Sequence, residues 1–159
     1  MTLHVVPSGL ADRVDAICKE NMQLEGPLLP ILHEVQAEFG YVPEEALRQI
    51  AGRLNISRAE IHGVATFYHD FRHKPAGRHV VKLCRAEACQ SVGSEALAKR
   101  AENQLGVVSG NTSADGAVTL EAVYCLGLCA CGPAALVDGK VVGRLNDAKL
   151  DAIISECRK

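Results

Sequence analysis

Through residues 10–70 the apolar positions recur at steps of three and four, the spacing that lines one face of a helix. Leu10, Val14 and Ile17 form the first such face, after a loose start over residues 1–9. Gly26–Pro27 punctuates the chain, and Leu28, Leu32, Val35 and Phe39 then mark a second helix that Gly40 ends as a cap. Pro43 opens a third helix, with Glu44 and Glu45 at its positive end and Leu47, Ile50 and Leu54 as its stripe. Ser57 and Glu60 have capping-box spacing and start a fourth, with Ile61, Val64 and Phe67 or Tyr68 expected inside. The segment reads as a small helical bundle.

"RHKPAGRH" (72–79) reads as a linker, and beyond it the period changes from helical to alternating. "HVVKL" predicts a strand, and "GSEALAKRAENQLG" predicts a helix capped by Ser94. "GNTSADG" reads as a loop. "AVTLEAVY" predicts a strand with Val118, Leu120, Ala122 and Tyr124 on one side. A hairpin is expected around Asp138–Gly139, then a closing helix over "DAKLDAIISECR". The expected fold is α+β: a helical N-terminal domain over 1–74 and a small thioredoxin-like α/β domain over 75–159.

Composition narrows the classes. The 159 residues are 48% hydrophobic and 23% charged, an ordinary globular balance; Trp is absent, so the core is aliphatic. A net charge of −2 argues against a nucleic-acid binder. No apolar run reaches the roughly 18 residues of a membrane span. The start "MTLHVVPSGLADRVD" shows no basic region followed by a long apolar stretch, so no signal peptide is expected and the compartment is read as cytoplasmic. Thiols there stay reduced or bind metal. The cysteine count of seven is odd, which rules out full pairing within the chain.

Four of those cysteines stand in two pairs, each after a strand-like run: Cys84 and Cys89 in "CRAEAC", Cys125 and Cys129 in "CLGLC". Two strand ends can bring four soft, anionic ligands to one place. That set suits an iron–sulfur cluster or a structural zinc ion, with buried or redox cysteines as the third reading. Zinc sites more often use tighter C-x2-C pairs. Gly127 and Gly132 are expected to allow tight turns and close approach to the site, and Arg85 to offset part of its negative charge. Cys18 and Cys157 read as packing or surface residues, and Cys131 as a small residue in a tight loop. His62, His69 and His73 have no carboxylate arranged beside them and read as a solvated or partner-facing set. There is no dinucleotide fingerprint, phosphate loop or nucleophile–base pair.

"GPLLPILHEVQAEFGYVPEEAL", "EIHGVATFYHDF", "CRAEACQSVG" and "CLGLCACGPAALVDG", in that order, resemble the small [2Fe–2S] subunit of NADH-linked dehydrogenase modules. That family includes subunits of respiratory complex I, of NAD-reducing hydrogenases and of NAD-dependent formate dehydrogenases. The similarity runs from about Gly26 to the C-terminus. The wording of the two cysteine loops is most similar to the gamma subunit of molybdenum-containing, NAD-dependent formate dehydrogenases. The resemblance implies one [2Fe–2S] cluster on Cys84, Cys89, Cys125 and Cys129, with Cys131 not a ligand. It also implies a partner subunit carrying FMN and NADH, a molybdenum-containing subunit in the wider complex, and no catalysis by this chain alone. A zinc-stabilised interaction module is the reading from a different class; a red-brown protein separates the first from the colourless second.

Overall fold

Leu10, Val14 and Ile17 are all buried, and the helix they imply spans Leu10–Asn21 (α1) in the computed structural model, which describes residues 8–159. Most of the loose start lies outside the described residues. The chain divides into two units, Met1–Pro75 and Ala76–Lys159.

The first unit adds α2 (Leu28–Phe39), α3 (Glu44–Leu54) and α4 (Arg58–Phe67). Local chemistry sets their ends. Gly40 takes φ 78° and donates its N–H to the Gln36 carbonyl, closing α2. Ser57 Oγ accepts from the Glu60 N–H at 3.1 Å while a Glu60 carboxylate oxygen accepts from the Ser57 N–H at 2.8 Å, so both halves of the capping box are present. Ile17, Ile31, Leu32, Val35, Ile50 and Ile61 form the centre of an aliphatic core. Arg53 and Gln49 of α3 both reach Asp15, tying α3 to α1.

The stripe on α4 differs from expectation. Ile61 and Ala65 are buried, whereas Phe67 is 73% exposed and Tyr68 is exposed too. The helix stops at Phe67, Tyr68 leaves helical geometry, and Phe71 enters the core instead. The residues after it are not free linker throughout: Val42 N–H donates to the Arg72 carbonyl, and Arg72 N–H to the Gln36 side chain.

The second unit is a five-stranded mixed sheet. β1 (His79–Cys84) lies centrally, then come α5 (Glu87–Gln90), α6 (Ser94–Leu105), β2 (Asn111–Thr112), β3 (Val118–Val123), β4 (Ala135–Val137), β5 (Lys140–Val142) and α7 (Asp147–Cys157). The strand order is β2-β3-β1-β4-β5. β1 and β3 are parallel, so the chain needs a crossover between them, and α6 supplies it. Val81, Leu83, Val118 and Leu120 pack with Leu97, Ala101, Leu150 and Ile154 of α6 and α7. Arg100 of α6 holds Asp151 of α7 through two bonds of 2.7 and 2.6 Å.

Three expectations change here. The segment read as a loop contains β2, which pairs with β3. Ser94 is not the cap of α6: Gly93, at φ 96°, holds that place, and the buried Ser94 hydroxyl has no partner. Tyr124 does not continue the buried side of β3; the strand ends at Val123 and Tyr124 is 73% exposed. The Asp138–Gly139 hairpin is present. Both residues take positive φ, and the Asp138 carboxylate accepts the Val80 N–H and meets His79 Nδ1 at 2.7 Å.

Candidate metal centre

The register of the parallel pair creates the site. Leu83 faces Ala122 and Cys84 faces Val123, so both cysteine loops leave the sheet at the same end and level. Ligand sites of α/β sheets favour this carboxyl end of the strands. The Arg85 N–H donates to the Val123 carbonyl at 2.8 Å and keeps the two loops together for one more residue. Cys84 is the last residue of β1 and 2% exposed. The short α5 turns the chain back, and its Cys89 is also 2% exposed. Around these two thiols lie Ala134, with Ala86, Val123, Leu126 and Leu128 partly buried.

The second loop is built differently. Cys125 adopts φ 86°, a region that L residues rarely occupy, and Gly127 follows at φ 76°. Together they fold the loop so tightly that the Gly127 N–H points at Cys125 Sγ, 3.4 Å away. Cys129 begins a 3-10 turn, Cys129–Cys131, and its sulfur lies 3.8 Å from that of Cys125. Both thiols are exposed.

Of the two reasons expected for a glycine at position 132, close approach holds and backbone freedom does not. Its φ is −66°, open to any residue. A Cβ there would stand 3.2 Å from Val92 Cγ2 and 3.5 Å from Cys89 Sγ, so the position needs space, not backbone freedom.

The two loops communicate through the sulfurs. Burial works against ionising Cys84, yet the N–H groups of Ala86, Cys125 and Leu126 and the Cys89 thiol all donate towards its sulfur and hold it below the ordinary thiol range. Two of those donors come from the other cysteine loop. Burial pushes Cys89 up, as does its bond to Cys84 and the charge there. Cys129 is pushed up by its hydrogen bond to Cys125, by that sulfur's charge and by burial. Thiolates crowded this closely repel one another, and a bound metal ion would supply the compensating positive charge.

The spacing fits metal as well. Two thiolates on one tetrahedral ion with bonds of about 2.3 Å stand roughly 3.8 Å apart, the separation found for Cys125 and Cys129. Among the described residues no group of three or more His, Cys, Asp or Glu gathers around one ion-sized point. The thiols stand as two pairs.

The remaining cysteines have other surroundings. Cys18 is buried in the helical core and Cys157 in the core beneath the sheet. Cys131 donates its N–H to the Leu128 carbonyl and accepts at its own carbonyl from Arg144, and a Cβ on Gly143 would come within 3.1 Å of its Cβ. It packs the 3-10 turn against the segment after β5. His62, His69 and His73 are exposed. Arg85 does not stand as a free cation: its guanidinium forks onto Glu95 at 2.8 and 2.6 Å.

A helical crossover links the parallel strands β1 and β3, and a pair of cysteines stands at the end of each strand. The family description "Thioredoxin-like [2Fe-2S] ferredoxin" matches residues 14–158, and the chain belongs to that family. It is 34% identical over 149 residues to a subunit of the NADH-quinone oxidoreductase of Rhizobium meliloti, covering 94% of this chain and 89% of the relative. It is 30% identical over 152 residues to a subunit of the NADP-reducing hydrogenase of Solidesulfovibrio fructosivorans, covering 96% and 89%. A crystal structure of an NAD+-reducing [NiFe]-hydrogenase in the H2-reduced state superposes with a TM-score of 0.71 at 27% identity, over 82% of this chain. The match spans 22% of that hydrogenase chain's length. No helix among the described residues is long and apolar enough to cross a membrane.

Proposed function

We propose that the chain is an electron-transfer subunit that holds one [2Fe–2S] cluster through Cys84, Cys89, Cys125 and Cys129. The observation that carries the reading is the meeting of two thiol pairs at the carboxyl ends of β1 and β3, with backbone N–H groups of the second loop turned onto a sulfur of the first. Pairs support two metal ions with two thiolates each over one zinc ion with four. A bound [2Fe–2S] cluster supplies one-electron redox chemistry. The chain's own part is to hold four thiolates, to direct N–H donors at Cys84 and Cys125, and to bury two of the four ligands. Domains 1–74 and 75–159 then divide the work: the second holds the site and the first offers a surface.

The partner is a subunit that binds FMN and NADH. Nicotinamide moves two electrons as a hydride, and a flavin bridges that to one-electron traffic. This chain has no dinucleotide fingerprint and is not catalytic alone. The parent complex in this reading is a cytoplasmic NAD-dependent formate dehydrogenase with a molybdenum-containing subunit. The support for formate is the wording of "CRAEACQSVG" and "CLGLCACGPA". The second reading, a complex I or NAD-reducing hydrogenase subunit, is favoured by the names of the relatives above.

Anaerobically purified chain is expected to contain about two iron and two acid-labile sulfide and to give a rhombic EPR signal on reduction. Stoichiometric zinc without sulfide overturns the cluster. Purification from the native host separates the parents: formate-dependent NAD reduction with molybdenum in the complex supports the first, and quinone or hydrogen chemistry the second.

A further inference from the structure

Arg85 is the only cationic residue within the two cysteine loops, and it directly follows Cys84. A cation there would favour the more negative, reduced state of a thiolate-bound site. The structure fixes Arg85 at its backbone and pairs its guanidinium. The Arg85 N–H donates to Val123 of β3, and the Arg85 carbonyl accepts from the Gln90 side chain at 2.8 Å. Its guanidinium makes two parallel bonds to Glu95, in the first turn of α6. A planar fork on a carboxylate is the geometry that fixes an arginine most firmly. Beyond the length of the pair, the two charges cancel and leave only a dipole.

We propose that Glu95 is a positioning residue for the electron-transfer site: by taking up the Arg85 guanidinium it withholds that cation's charge from the cluster and holds the reduction potential below the value a free Arg85 would give. The inference rests on the four-cysteine [2Fe–2S] reading. It makes the pair a setting of the site, altered from either side with opposite sign. Glu95→Gln leaves a free cation on the residue that follows Cys84 and raises the potential. Arg85→Gln leaves an unpaired carboxylate and lowers it. The double variant removes both charges and returns the potential towards that of the wild type. The side chains are 32% and 48% exposed, so added salt shrinks both single-variant shifts.

The test is an EPR-monitored redox titration of the cluster-loaded full chain in the wild type, Glu95→Gln, Arg85→Gln, Arg85→Gln/Glu95→Gln and Arg85→Lys. Arg85→Lys keeps the charge but holds it less firmly, so its potential is expected between those of the wild type and Glu95→Gln. A merely structural clamp would change melting temperature in all four variants without an ordered set of potentials. Iron and sulfide analysis of the wild type comes first, so that a missing cluster counts against the ligand reading and not against this one. If Arg85→Gln does not load, the signs of Glu95→Gln and the double variant decide. A Glu95→Gln potential equal to or below that of the wild type overturns the proposal.

Discussion

Cys84 of β1 stands directly opposite Val123 of β3 in a parallel pair, two residues before Cys125. This register places both cysteine loops at one end of the sheet, and the proposed ligand set takes Cys125 and Cys129, not Cys131, from the second loop.

Serine substitutions check that assignment. Cys129→Ser is expected to lose or severely perturb the iron signal, because a soft thiolate is replaced by a hard, far weaker ligand. Cys131→Ser is expected to leave iron content and EPR line shape nearly unchanged. Loss of iron in Cys131→Ser with retention in Cys129→Ser would move the ligand by two positions.

Gly132→Ala tests the space beside Cys89. The new methyl meets Val92 Cγ2 at 3.2 Å and Cys89 Sγ at 3.5 Å. Overpacking of this kind costs about 1–3 kcal/mol. The expected outcome is lower iron occupancy and a lower melting temperature, with Val92→Ala in the same chain restoring part of both. An unchanged iron content and melting temperature would show that the wall yields freely.

The four thiols differ in access, and alkylation of the metal-free chain reads the difference. Cys125 and Cys129 are exposed, whereas Cys84 and Cys89 are buried. Mass spectrometry after a brief iodoacetamide pulse is expected to find label on the 125/129 pair first. Equal labelling of all four would mean that the first loop opens once the metal is gone.

Acid stability has a defined source at the α6–α7 contact. Hydrogen bonds from Arg100 and Gln104 hold the Asp151 carboxyl at about 2, down from 3.8. A carboxyl depressed on folding contributes stability above its unfolded value, and that contribution is lost as pH falls through the folded one. The window is therefore from near 4 down to about 2. Asp151→Asn is expected to flatten this part of a melting-temperature-versus-pH curve, with little change in its slope above pH 5. An unaltered acid limb would assign the loss to the other depressed carboxyls, Asp15, Glu38, Glu60, Glu95, Asp115 and Asp138.

Removing residues 1–74 separates the two proposed roles. All four cysteines and their supporting sheet lie in Ala76–Lys159, which has its own core. The shortened chain is expected to keep its iron and to lose co-purification with the flavin subunit. Retained co-purification would refute docking by the helical unit.

Much of this was legible from spacing. Leu10, Val14 and Ile17, or Leu32 and Val35, can lie on one side only if the segment is helical, and both cysteine pairs follow runs that alternate. What stayed hidden depends on where an element stops. Tyr124 continues the alternation of β3 on paper, but pairing with β1 ends at Val123 and the chain turns at Cys125 with positive φ. Phe67 and Tyr68 fail in the same way at the end of α4. Arg85 was placed beside the site by sequence, but its neutralising partner lies ten positions on, across a turn that no local pattern encodes. β2 is two residues long, too short to carry any period.

The unequal burial of the cysteines gives the site a back and a front. Cys84 and Cys89 belong to the packed interior, so damage to them is damage to the fold. Cys125 and Cys129 sit on a surface loop beside the exposed ring of Tyr124, so a change there leaves the packed interior intact. Anchorage and access are thereby divided between the two cysteine loops. A chain of this design can vary its outer loop to suit a new neighbour while the anchoring half stays unchanged.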